Sequence, residues 1–184
     1  SGFITGSFIV YLSASQQIFE EQYHLKEEFP YIFAGLAISV GLATFLNGKL
    51  VLKLGMFKLV SIFTVVFTIV PFIYVCFFLG EGNPSIYILL LFFGLQFFAI
   101  GFLFGNTRAL AMEPIGHIAG IGAAINGFIS TIMAVPIATF IGGYINETAL
   151  PLFAGFFACG FIALILIGSL IFIKKRKNAV IKPI

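Results

Sequence analysis

"VSIFTVVFTIVPFIYVCFFL", residues 60–79, decides the fold. Fourteen of its residues are Val, Ile, Leu or Phe, and none is charged. Each of these favours insertion into a bilayer by about 0.3–0.6 kcal/mol at a helix centre. Thr64, Thr68 and Pro71 reduce that sum without reversing it. A helix crosses the roughly 30 Å hydrocarbon layer with about 20 residues, so this stretch is long enough to span. A closed β-barrel is the other structure able to cross, but its strands alternate apolar and polar over about ten residues. A continuous apolar run predicts a helix.

The rest of the chain has the same character: 60% hydrophobic residues, 25 Phe, 9% charged residues and a mean hydropathy of +1.13. These values exclude an ordinary water-soluble domain. Uncharged, mostly apolar runs lie near 3–19, 31–48, 59–79, 85–107, 118–146 and 149–173. The expected fold class is an all-α membrane protein, one bundle over 1–184 with six transmembrane helices at those positions.

Charge fixes the expected orientation. The segments near 47–58, 106–117 and 174–184 carry Lys49, Lys53, Lys58, Arg108, Lys174, Lys175, Arg176, Lys177 and Lys182, nine of the ten basic residues. The alternate segments near 20–30, 80–84 and 146–148 hold Lys26 with Glu20, Glu21, Glu27, Glu28, Glu81 and Glu147. Short basic loops are retained in the cytoplasm, so both chain ends, including a basic tail at 174–184, are expected there. The opening "SGFITGSF" has no initiator Met and no basic flank, and it reads as the inside of a helix preceded by missing sequence.

Polar residues within the membrane mark function by default. They concentrate on the first helix (Tyr11, Ser13, Ser15, Gln16, Gln17), the fourth (Gln96) and the fifth (Asn126, Ser130, Thr131, Thr139). These three helices are therefore expected to face a cavity or partner, with the third and sixth facing lipid. Gln96 sits among Phe92, Phe93, Phe97 and Phe98 and needs a partner from another helix, a ligand or water. Small residues recur at helix-packing spacing at Gly94, Gly101 and Gly105, and at Gly116, Gly120, Ala123, Gly127 and Thr131. Pro136 is placed to kink the fifth helix.

Catalytic signatures are missing. No phosphate-binding G-x-x-x-x-G-K-[ST], zinc-binding H-E-x-x-H or nucleophilic G-x-S-x-G pattern occurs. His24 and His117 fall on opposite sides of the expected membrane and cannot share a metal, while Cys76 and Cys159 lie within spans as small packing residues. No enzyme activity, cofactor, metal or nucleic-acid partner is expected. No expected membrane core contains Asp, Glu, Lys or Arg, so a proton-driven carrier would hold its coupling acid elsewhere.

"GKLVLKLG", Gly48–Gly55, resembles the loop motif G-x-L-x-D-R-x-G found between the second and third helices of each half of major facilitator transporters. Gly48, Leu50, Lys53 and Gly55 match, Lys53 replacing Arg, while Leu52 occupies the acidic position. "YLSASQQIF", Tyr11–Phe19, and "GNTRALAMEPIGHIAGIGAAINGF", Gly105–Phe128, are similar to the C-terminal half of the bicyclomycin-resistance (Bcr/CflA-type) drug/proton antiporters. Asn106, Pro114, Gly116, Ala119 and Gly120 fall in place, and Gln16 stands where proline is usual.

The resemblance implies helices seven to twelve of a twelve-helix carrier of the bacterial cytoplasmic (inner) membrane, built as two inverted three-helix repeats. It implies alternating access against the missing N-terminal six-helix half, with small amphiphilic drug-like substrates, protons and membrane lipid as partners. Substrate contacts would come from Tyr11, Ser15, Phe93, Gln96 and Asn126. Gly48, Leu50, Lys53 and Gly55 would govern cytoplasmic closure, and Gly101, Gly105, Gly116, Gly120, Gly127 and Pro136 would serve packing or hinges. Two alternatives stay open. One is a stand-alone six-helix protein that pairs with itself as a channel or structural component; the other is a major facilitator nutrient importer.

Overall fold

The computed structural model describes the backbone of residues 1–180 and side chains as far as Ile173. Helix α1 (Gly2–Gln16) continues into a π-helical turn, Gln17–Gln22. Then come α2 (Phe29–Leu54), α3 (Met56–Phe78) and α4 (Ile86–Met112). A 3₁₀ segment, Glu113–Ile118, leads into α5 (Ala119–Gly142), and α6 (Leu150–Val180) closes the chain. No strand occurs among the described residues.

The breaks have local causes. Pro30 stands in the first turn of α2, where its missing N–H costs nothing. Gly55 separates α2 from α3 at φ 79°, a left-handed conformation that glycine adopts without penalty. Ile115 (φ −122°, ψ 28°) and Ile118 (φ −124°, ψ 36°) leave helical geometry and turn the chain between α4 and α5.

Four helical stretches are long and apolar enough to cross a membrane: Phe29–Leu54, Met56–Phe78, Ile86–Gly142 and Leu150–Ile173. The third is α4, the 3₁₀ segment and α5 together, 57 residues. Helix α1 has 15 residues, fewer than the roughly 20 a crossing takes, and the six-residue π-helical turn extends it.

Side-chain contacts give the direction of every helix. Phe8 and Tyr11 of α1 meet Phe104 and Phe97 of α4, so these two are antiparallel. Gly94 and Gly101 of α4 face Ser39 and Val40 of α2, and Asn106 meets Asn47 further on, so α2 and α4 are parallel. Tyr74 of α3 meets Phe92 of α4 edge-on and Phe63 stacks on Phe102, an antiparallel pair. Tyr74 also stacks on Phe153 while Thr68 approaches Gly160, which sets α6 antiparallel to α3. Gly2 and Gly6 face Met133 and Ile137, so α1 and α5 are parallel. The six helices therefore alternate in direction, and Ile86–Gly142 is a hairpin.

The main packed pairs are α1 with α5, α2 with α4, α3 with α6, α3 with α4, and α1 with α6. Exchanging each helix with the one three places along maps this set onto itself with directions reversed. One glycine lets the backbones close in each of the first three pairs. A Cβ on Gly6 would stand 3.2 Å from Ala134 Cα, on Gly101 2.7 Å from the Val40 carbonyl, and on Gly160 3.1 Å from Thr68 Cα. Van der Waals packing through small residues is what joins helices in lipid.

Several features differ from the sequence reading. Helix α4 is the centre of the bundle, with Phe93, Gln96, Ile100 and Leu103 fully enclosed. Helix α3 turns Thr64, Thr68 and Tyr74 inward. The outer helices are α2, which buries only Leu36 and Ala43, and α5, which buries only Gly122, Ser130 and Ala134. Gly105, Gly116, Gly120 and Gly127 face open space instead of a neighbouring helix, and α5 runs on through an exposed Pro136. The basic tail is helical to Val180; its side chains and residues 181–184 lie outside the described residues.

Candidate functional site

Tyr11 is the focus of an aromatic junction between α1, α2 and α4. Its ring meets Phe97 edge-on at 4.5 Å and Phe93 at 5.2 Å, and lies nearly parallel to Phe33 at 6.2 Å. Edge-to-face rings at such distances add about 0.5–1.5 kcal/mol each beyond their burial. The residue is only 1% exposed, yet its hydroxyl has no hydrogen-bond partner. A buried unpaired hydroxyl is costly, so a group that satisfies it binds with advantage.

A cavity of about 190 Å³ lies beside this ring, lined by Phe8, Tyr11, Leu12, Phe33, Val40 and Phe97. It has apolar walls and one phenol, the composition of a small-molecule site. Phe33 and Leu12 are partly exposed, so the cavity opens outward between α1 and α2.

A more polar groove of about 320 Å³ lies further along α1 against α5, with Ser13, Gln17 and Thr139 in its wall. Ser13 donates to the Ile9 carbonyl at 2.6 Å and Thr139 to Val135 at 3.0 Å. Their hydroxyl protons are committed to their own helices, which leaves oxygen lone pairs facing outward.

The structure brings together two of the five residues predicted to touch substrate, Tyr11 and Phe93. Ser15 is buried and donates to Leu12 at 3.3 Å. Asn126 lies at the other end of α1, where its Oδ1 accepts from Ser1 at 3.0 Å. Gln96 is turned away toward α3: its Nε2 donates to the Phe67 carbonyl at 3.2 Å, and its Oε1 is unpaired. In a regular helix the Phe67 carbonyl accepts from residue 71, but that residue is Pro71 and has no N–H. Gln96 repairs that gap.

Gly48, Leu50 and Lys53, read as a loop, form the last two turns of α2, and only Gly55 breaks the helix. Lysines are tolerated there because their stems lie along the helix while the ammonium reaches water. Lys49 Nζ sits 5.0 Å above the Phe45 ring. Leu52 is 88% exposed, so this segment holds no salt-bridged gate among the described residues.

Two polar centres lie outside the predicted set. Asn106 Nδ2 donates to Asn47 Oδ1 at 2.6 Å, tying α4 to α2. Asn83, between α3 and α4, donates to Gln22 Oε1 at 3.1 Å and to the Glu147 carbonyl at 3.2 Å, and accepts from the Ala149 N–H at 2.9 Å. One amide thus holds three connections together. The turn-forming "GNPS" around it signals a loop but not its partners.

Comparison with protein-family models, with curated proteins and with solved structures finds no match to this chain.

Proposed function

We propose that the chain is one six-helix half of a major facilitator-type secondary carrier, crossing the membrane six times and working by alternating access against a second six-helix half. The observation that carries this reading is the interchange of α1, α2 and α3 with α4, α5 and α6. Inverted three-helix units are how such carriers place one substrate site near the midplane.

The outer helices support a partner of the same kind. Ala37, Gly41, Thr44 and Gly48 form one exposed line on α2, and Gly120, Ala123, Gly127 and Thr131 form another on α5. No side chain stands within 4 Å of where a Cβ would be on Gly41, Gly48, Gly120 or Gly127. The interchange relates these two helices, and small-residue lines are the surfaces on which membrane helices dock. A second copy of this chain would fit the same lines, which is the reading of a self-paired channel or structural protein.

The aromatic cavity at Tyr11 suits small amphiphilic, drug-like compounds, and drug/proton antiport in a bacterial cytoplasmic membrane is the transport mode we favour. The apolar helices lack acids at their centres, so proton coupling would fall to the second half. Efflux of a fluorescent cationic dye from cells tests this. Efflux that needs both halves and a proton gradient supports the proposal; gradient-independent flux from this chain alone sinks it.

A further inference from the structure

A second, larger cavity lies at the basic end of the bundle, about 560 Å³, between α1, α3, α4 and α6. Its lining is extended along the helices. Along α6 it runs from Ala163 to Ile173, about 15 Å at 1.5 Å per residue, and along α3 from Phe57 to Thr64. Its wall is mainly Ile4, Val60, Leu166, Ile167 and Leu170. The two threonines in the wall offer no outward donor, because Thr64 donates to the Val60 carbonyl at 2.7 Å and Thr107 to Leu103 at 2.7 Å. The remaining polar residue of the wall, Ser1, turns its hydroxyl to Asn126 Oδ1 at 3.0 Å.

Basic residues stand next to the lining in sequence. Lys58 follows the lining residue Phe57, and Arg108 follows the lining residue Thr107; both are exposed. The Arg108 guanidinium stands 5.7 Å above the Phe104 ring, and neither cation has an ion pair among the described residues. Neither this cavity nor another apolar groove, about 640 Å³ between α5 and α6, has a basic residue in its own lining, but the second groove has none beside its lining residues in sequence either. Charge therefore distinguishes the first cavity.

We propose that this cavity holds one acyl chain of an anionic phospholipid whose phosphate rests on Arg108 and Lys58. The phosphate takes charge-assisted hydrogen bonds from the guanidinium, and the chain fills the slot along α6. The site is separate from the aromatic cavity at Tyr11 and needs no transport activity.

The test is thermal unfolding of the full chain carrying Cys76→Ser, followed by reaction of the buried Cys159 with a thiol-reactive dye. Phosphatidylglycerol should raise the midpoint by about 5 °C at roughly a hundred times its dissociation constant, relative to phosphatidylcholine with the same chains. Inorganic phosphate should give no rise. Arg108→Gln with Lys58→Gln should abolish the difference, and Lys53→Gln, on the same end but away from the cavity lining, should keep it. Ala163→Phe, or Leu170→Trp if the first does not fold, should also remove it by filling the slot. Equal shifts from the two lipids would overturn the proposal. So would loss of the effect in Lys53→Gln, persistence with the slot filled, or a full shift from phosphate alone.

Discussion

Gln96 Nε2 lies 3.2 Å from the carbonyl of Phe67, the acceptor that Pro71 leaves without its helical donor. A polar residue in the middle of an apolar helix thus repairs a neighbour's backbone across the α3–α4 contact. Gln96→Ala should cost about 1–3 kcal/mol of stability, the penalty for leaving a buried carbonyl unpaired. In a Pro71→Ala background the helix supplies its own N–H, and the same substitution should cost distinctly less, a coupling above about 0.5 kcal/mol. Strictly additive costs in a thermal double-mutant cycle would show that the two residues act independently.

Glycine positions separate contact from open surface. A Cβ on Gly101 would stand 2.6 Å from Ala43 Cβ and 2.7 Å from the Val40 carbonyl, whereas one on Gly105 meets nothing. Gly101→Ala should destabilise by about 1–3 kcal/mol through overpacking of α2 against α4. Gly105→Ala should be neutral or stabilising by up to about 1 kcal/mol, because alanine loses less entropy in a helix. Equal melting shifts in the two variants would contradict the packing described.

Asn83 governs the acidic end of the bundle. Asn83→Ala removes the acceptor for the Ala149 N–H just before α6, together with the ties to Gln22 and Glu147. Loss of such a helix-start acceptor costs about 0.5–2 kcal/mol. Hydrogen exchange at the Ala149 amide should speed up by at least tenfold while amides around Gly101 stay protected. Uniform acceleration would mean that Asn83 supports the whole bundle rather than these connections.

Tyr23 lies outside the helices and donates to the Pro84 carbonyl at 2.8 Å. Burial pushes its phenol from 10.0 up to about 12. Below pH 10 the group is protonated in both folded and unfolded chains, and its contribution to stability is complete. Between pH 10 and 12 the unfolded chain releases the proton while the folded one keeps it, so stability falls as pH rises. Tyr23→Phe should flatten that decline in alkaline unfolding curves. An unchanged slope would place the decline elsewhere.

The apolar helices are legible in the sequence because an uncharged run of twenty residues, fourteen of them Val, Ile, Leu or Phe, is continuous rather than alternating. Their ends are less so. Lys49 and Lys53 do not stop α2, since their side chains reach water from a helical backbone, and Gly55 does, through its positive φ. The site is legible only in part. Tyr11 and Phe93, named as substrate contacts from the resemblance, lie on helices that face each other, and their rings meet at 5.2 Å. Gln96 and Asn126 have the same polar signature but serve α3 and Ser1, because which carbonyl or hydroxyl a buried amide reaches is set by tertiary packing. The exposed spacing Ala37, Gly41, Thr44, Gly48 is as regular as the α5 line, and its meaning depends on knowing that α2 lies at the edge.

The proposed carrier would cross the membrane with six alternating helices and return both ends to one side. Single cysteines at positions 24, 53, 81, 108 and 147, introduced into a Cys76→Ser, Cys159→Ser chain, can be challenged in intact cells with a membrane-impermeant maleimide. The alternation predicts labelling at 24, 81 and 147, and none at 53 and 108 until the membrane is permeabilised. Labelling of 53 and 81 from the same side would contradict a crossing by α3, and with it the inverted three-helix design.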